Sequence, residues 1–350
     1  MKQGPYFFTS RILFVSLLLQ PLAIYADSAD GSLQTQVKTQ EPPCQFVPSM
    51  DFMSEHARAF DRVNMTSAAW FARTVQLTDD LRNQAWQSLA VKPQRVLDFV
   101  AKPFGLHSTL LEFDDQVLVL YRGTEDVLDY VLNGTFFTTK GDKHGLPGWV
   151  HEGFLINFYL SWARVRNALK EATEAGKSIV FASHSLGGVL SQYAAWLAES
   201  EGMKVIRVYA FQAPNPGDSQ FKSAFDERFA GRASNTLYGD DVTPHIPPIF
   251  ESAEAFGKAS LKPLASTLVK LLDKANYGAL AGRFGLDAQG NQSPISESRL
   301  PSSEIEYWTA YQKKMGGQPF PLGMNSQTPV IADHDIDRVL CALVKNALTR

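Results

Sequence analysis

Cysteine is scarce in this chain of 350 residues: only Cys44 and Cys341 occur. Neither lies in a cluster of metal-ligand type, which excludes a cysteine-based metal site and a multi-disulfide scaffold. Two states of the pair stay open from the sequence. One is a disulfide clamping the N-terminal arm to a C-terminal helix, as an oxidising compartment allows. The other is two buried free thiols. Excess charge of either sign is lacking as well. Lys and Arg number 33, Asp and Glu 36, for a formal net charge of −3. There is no long single-sign run and no basic face of the kind that binds nucleic acid. The N-terminal apolar run, Ile12 to Leu19, is too short to span a membrane comfortably and is broken by Gln20 and Pro21. Lys2 and Arg11 precede its apolar part, and Ala26 offers a small residue for cleavage. Residues 1–26 therefore read as a secretory signal peptide rather than an anchor, with an extracellular or periplasmic destination. Residues 27–48 are polar, contain a Pro-Pro step and read as a loose lead-in.

What is present is ordinary globular material, 45% hydrophobic and 20% charged. Residues 51–90 have helical spacing, with Trp70, Phe71, Val75 and Leu81 recurring on one side. "STLLEFDDQVLVLYRGT" reads as two strands around Asp114-Asp115. Phe154, Phe158, Trp162, Val165 and Leu169 mark a helix that stops at Gly176. "KSIVFAS", "KVIRVYAF" and "ASNTLYG" follow as strands, with a helix from about Gly188 to Glu199 after the first. Strands alternating with helices predict an α/β fold with a largely parallel central sheet flanked by helices. No internal repeat or domain boundary appears after Pro48, so residues 49–350 read as one domain. An insertion at about 249–327 lacks obvious sheet character. Within it Leu261, Leu264, Leu268, Leu271 and Leu272 share a helical face. That face either packs on the core or forms a mobile or interfacial helix near a substrate mouth.

The chemistry-bearing stretch is "SIVFASHSLGGVL". A β run ends on Ser185 and passes at once into a glycine-flanked helix. Such a junction projects the serine above the sheet edge and brings free backbone N–H groups beneath it. The usual spelling is G-x-S-x-G; here Ser183 stands in the first glycine's place. Glycine at that position is expected to be tolerated, at a cost of about 1 kcal/mol in backbone freedom. A hydrolase of this design needs an acid and then a histidine, in that chain order. "LYGDDVTPHIPP" offers Asp240 and Asp241, and "PVIADHDIDRVLCAL" offers His334. His151, His184 and His245 read as structural, and Asp333 and Asp335 are alternative neighbours of the His334 ring.

With these residues in view the chain resembles the class 3 lipases, the fungal-type triacylglycerol lipases and their relatives. The resemblance runs from about Phe104 to Asp241 and resumes weakly around His334. "VLVLYRGTEDVLDYV", "LPGWVHEGFL", "ASHSLGGVLSQYAA", "YAFQAPNPGD" and "DDVTPHIPP" resemble that family's motifs in the family's order. Ser183, Gln212, Asn215 and Tyr130 depart from them. The resemblance implies an α/β-hydrolase fold and a catalytic set of Ser185, Asp241 and His334. It implies an oxyanion hole from Thr124 and the Leu186 backbone N–H, a lid over "EDVLDYVLNGTFF", and no metal or cofactor. The implied activity is a secreted serine carboxylic-ester hydrolase cleaving acylglycerol esters at a lipid–water interface, with transient contact to a membrane or lipid-droplet surface. A phospholipase, a soluble-ester esterase, or a non-catalytic lipid-binding protein on the same scaffold are the alternatives.

Overall fold

The computed structural model describes residues 44–56, 61–101, 106–123, 136–260, 262–320 and 328–347. The expected signal peptide, most of the lead-in, Thr124 and most of the expected lid lie outside them.

The region read as continuously helical contains two helices, α1 (Arg62–Thr74) and α2 (Asp79–Gln87). Asp61 starts the first by accepting the Val63 and Asn64 N–H groups. Strands β1 (Arg95–Ala101), β2 (Leu106–Glu112) and β3 (Gln116–Tyr121) follow. The short β4 (Thr138–Lys140) and β5 (Trp149–His151) lead into the long α3 (Glu152–Glu174). Next come β6 (Ser178–His184), α4 (Leu186–Ser200) and β7 (Val205–Phe211). Then come β8 (Gly217–Asp218), α5 (Ser219–Arg228) and β9 (Ala233–Tyr238). The later segment supplies α6 (Ala253–Ala259), α7 (Lys262–Ala275) and β10 (Tyr277–Gly278). It continues with β11 (Arg283–Leu286), β12 (Gln292–Ile295) and α8 (Leu300–Lys314). A single turn, α9 (Pro329–Ala332), precedes α10 (Ile336–Ala347).

The main sheet has eight strands in the order β1-β2-β3-β6-β7-β9-β11-β12. Pairing is parallel from β3 through β11. It is antiparallel at both margins. A smaller sheet runs β10-β8-β5-β4. Every residue of β6 and β7 is buried, as central parallel strands covered on both faces must be. Period-two alternation then divides their side chains. Ile179 and Phe181 join the layer of α3 and α4, whereas Val180 and Ala182 join that of α1 and α10. The fold is that of the α/β-hydrolases, as the sequence implied.

The later segment departs from the sequence reading. Residues 283–286 form a parallel strand that continues the main sheet beside β9. Arg283, Gly285 and a short length hide this strand from periodicity. Of the leucine face expected on α7, Leu272 is fully buried and Leu271 is 41% exposed; Leu261 and the side chains of Leu264 and Leu268 lie outside the described residues. The helix packs on α6 so closely that a Cβ on Gly257 would come within 2.6 Å of Val269. Among the described residues no helix is long and apolar enough to cross a membrane.

Cys44 and Cys341 form a disulfide with a Cα separation of 5.4 Å. It ties the N-terminal arm to α10, which begins two residues after His334. The bond closes a loop across 297 positions, so it strongly restricts the unfolded chain. Replacing both cysteines with serine is expected to lower unfolding free energy by about 2–5 kcal/mol in urea titration. A reductant should destabilise the wild type and leave the double variant unchanged.

Candidate active site

The site grows from the junction of β6 and α4. Ser185 occupies it with φ 60° and ψ −134°, a backbone that costs a non-glycine residue about 1–3 kcal/mol. The surroundings hold the turn tight. A Cβ on Gly187 would lie 2.2 Å from the Tyr121 carbonyl oxygen, and one on Gly188 would lie 2.6 Å from Ala213 Cβ. Gly123 also passes close, its virtual Cβ 3.0 Å from both the His184 oxygen and Ser185 Cβ. Glycine lets α4 lie against β3 and lets the chain after β3 pass over the serine.

Ser183 is more than a small residue. The β3–β6 backbone ladder ends at Val119 and Phe181. Arg122 N–H donates to the His107 carbonyl at 2.8 Å, so Tyr121 and Ser108 are a non-hydrogen-bonded pair of the β2–β3 ladder. Tyr121 N–H therefore points towards β6, where it donates to Ser183 Oγ at 2.9 Å. Ser191 Oγ, on the second turn of α4, donates to the same oxygen at 2.8 Å. The hydroxyl joins β3, β6 and α4 at the foot of the turn.

Three elements meet above it. His334, from the turn between α9 and α10, places Nε2 2.7 Å from Ser185 Oγ. Its Nδ1 lies 2.8 Å from Asp241 Oδ2. Asp241 follows β9 and is 2% exposed. Its other oxygen accepts the Thr243 N–H at 2.9 Å. A hydroxyl, an imidazole and a fixed carboxylate in series can pass a proton from oxygen to nitrogen and stabilise the resulting cation. Serine hydrolases work with a series of this kind.

Each neighbouring acid has a different partner. Asp240 pairs with Lys314 at the surface. Asp335 accepts the Asp337 N–H at 2.9 Å. Asp333 accepts the Asp240 N–H at 2.9 Å and Arg338 Nη1 at 2.7 Å, joining the Asp241 loop to α10. The three histidines read as structural also have partners. His151 caps α3 through the Phe154 N–H and stacks on the Phe154 ring at 3.9 Å. His184 packs its ring 4.6 Å from that of His334. His245 meets Glu304 Oε2 at 3.0 Å and stacks on Tyr307 at 3.6 Å.

Glu304 and Arg283 form an ion pair with 1% exposure on each side. Burial works to raise the Glu304 pKa. His245 and Arg283, by charge and hydrogen bond, outweigh it and hold the carboxyl below its ordinary range. Arg283 also donates to the Pro244 carbonyl at 3.0 Å, and Tyr307 OH to the Asp240 carbonyl at 3.0 Å. The later segment thus grips the acid-bearing loop on both sides of Asp241.

Leu186 is the first residue of α4, where a helical N–H has no intrahelical partner. Thr124 lies outside the described residues. Sequence reasoning named Gln212 only as a departure, missed Asp333 as a tie, and missed Gln76, Ser191 and Tyr307 altogether. The one available signal was the departure of Gln212 from the resembled motif. Among the described residues no group of three or more His, Cys, Asp or Glu is placed to hold a metal ion.

Residues 118–251 match the family described as Lipase (class 3). Among solved structures the chain is similar to a lipase from Rhizopus microsporus var. chinensis, with 18% identity over 84% of this chain and 92% of that one, at a TM-score of 0.52. It is also similar to a lipase from Yarrowia lipolytica, at 15% identity over 64% and 77%, TM-score 0.48. A third is the Rhizomucor miehei triacylglyceride lipase, at 21% identity over 53% and 72%, TM-score 0.42. No curated protein matches the chain in sequence.

The Ser183 contacts revise the effect expected of glycine there. Ser183→Gly leaves two buried donors without their acceptor, which adds about 1–3 kcal/mol to the backbone term. Thermal or urea unfolding should show the larger loss, and Ser191→Ala, which removes one donor, should cost less.

Proposed function

We propose that the chain, which matches the class 3 lipase family over residues 118–251, is a secreted lipase cleaving acylglycerol esters through an acyl-Ser185 intermediate. One observation carries this reading: the unbroken series from Ser185 Oγ through the His334 ring to the buried Asp241 carboxylate, at 2.7 and 2.8 Å. His334 Nε2 takes the hydroxyl proton as Oγ attacks the ester carbonyl. Asp241 holds the ring by its Nδ1–H and stabilises the imidazolium. The oxyanion of the tetrahedral intermediate meets the Leu186 N–H and a donor from Thr124. Collapse breaks the C–O bond, and His334 returns the proton to the departing alcohol. Water, deprotonated by the same ring, then releases the acid. No cofactor enters these steps. Secretion is supported by the N-terminal pattern and by a disulfide suited to an oxidising compartment.

Ser185→Ala is expected to lower kcat on p-nitrophenyl esters by about 10⁴–10⁶-fold. A fluorophosphonate probe should label the wild type on the Ser185 peptide alone. Asp241→Asn should cost about 10⁴-fold, while Asp240→Asn stays near wild type because its carboxylate faces Lys314. Full activity in Ser185→Ala would overturn the reading.

Substrate form is tested separately. A lid with an apolar inner face opens more readily where that face meets lipid in place of water. Specific activity on tributyrin should rise as substrate passes its solubility limit. Val131→Ser with Leu132→Ser should weaken that rise and spare turnover of dissolved ester. A smooth saturation curve through the limit would favour a soluble-ester hydrolase.

A further inference from the structure

Gln212 follows β7 and is fully buried, with φ 53°. That left-handed backbone favours glycine, the residue of the resembled family segment at this position. A buried non-glycine residue held there calls for a compensating contact, and its side chain makes two. Gln212 Nε2 donates to the Asp333 carbonyl at 2.6 Å. His184 Nε2 lies 3.0 Å from Gln212 Oε1.

These contacts fix the proton arrangement. A carbonyl only accepts, so the Gln212 amide nitrogen must face Asp333 and its oxygen must face His184. His184 Nε2 therefore carries the hydrogen. Its Nδ1 meets Gln76 Nε2 at 3.3 Å, a donor that suits an unprotonated ring nitrogen. The ring of His184, so held, packs 4.6 Å from His334. The other arm of Gln212 restrains the peptide that enters His334. One side chain thus fixes the backbone before His334 and the ring beside it.

We propose that Gln212 is a positioning residue for His334, setting the angle at which its Nε2 meets the Ser185 hydroxyl. This rests on the Ser185–His334–Asp241 reading above. It assigns a part to a residue that touches neither substrate nor reacting atom.

Two variants test it. Gln212→Gly removes both arms and relieves the backbone. Gln212→Met keeps the length and bulk of the side chain and removes the hydrogen bonds. Both should lower kcat on p-nitrophenyl butyrate about 10–100-fold, the scale of a small misplacement of a reacting group, with KM within about twofold. The second-order rate of fluorophosphonate labelling should fall in parallel. Gln212→Gly relieves the backbone but loses two hydrogen bonds of a buried side chain, so both variants are assayed well below their measured melting temperatures, which separates lost positioning from lost folding. Wild-type kcat in Gln212→Gly, alongside an inactive Ser185→Ala, would overturn the positioning role and leave the hydrolase reading standing. A fall in kcat confined to temperatures near the melting point in both variants would also overturn it. An active Ser185→Ala would overturn the reading itself and the inference with it.

Discussion

The approach of α4 to the end of β3 is the constraint on which the site depends. Ser185 can stand above the sheet only if the helix that follows it begins almost in contact with the neighbouring strand. Gly187 allows this, since any side chain there would strike the Tyr121 carbonyl. The turn also carries a positive φ at the serine, a conformation that unfolds unless its surroundings over-determine it. Ser183 supplies part of that determination by binding a strand N–H and a helix hydroxyl at once. Hydrophobic burial on both sheet faces supplies the rest. The two core clusters sandwich β6 between helices, so the strand end has no room to shift.

A serine held this firmly needs partners held equally firmly, and they arrive on loops. Loops carry function but position poorly unless tied down. The ties are polar and buried. Asp333 joins the acid loop to α10. Arg283 and Glu304 join the same loop to the later segment, with His245 and Tyr307 stacked at their edge. Such networks rigidify when satisfied and cost dearly when broken. The protein therefore spends buried charge where its backbone is irregular and apolar packing where it is regular.

The central part of this architecture was legible in the residues. The strands "KSIVFAS" and "KVIRVYAF" are apolar, β-branched and bounded by turn residues, so their burial in a parallel sheet follows. The serine–aspartate–histidine order followed from the chemistry that a strand–Ser–helix turn implies. Asp241 could be preferred over Asp240 only by resemblance; the difference lies in the turn after β9, which sends one carboxylate inward and the other to Lys314. Strand β11 was hidden because four residues, one an arginine and one a glycine, carry no periodic signal. The part played by Ser183 was hidden for another reason. A hydroxyl that completes a backbone ladder depends on the register of a strand 62 positions away, and no local pattern encodes that.

The later segment also bears on how the protein can be rebuilt. It has the look of an appendage in sequence, a stretch to be shortened or exchanged with that of a relative to change which esters fit. It is wired into the acid loop instead. Arg283 and Glu304 neutralise each other beneath that loop, and Tyr307 holds the Asp240 carbonyl. A graft that alters α6 and α7 but keeps β11 and α8 leaves those connections whole. One that removes the entire segment strips the sheet of two strands and frees the loop that carries Asp241. The boundary for exchange lies inside the segment, between Ala275 and Arg283, and not at either of its ends.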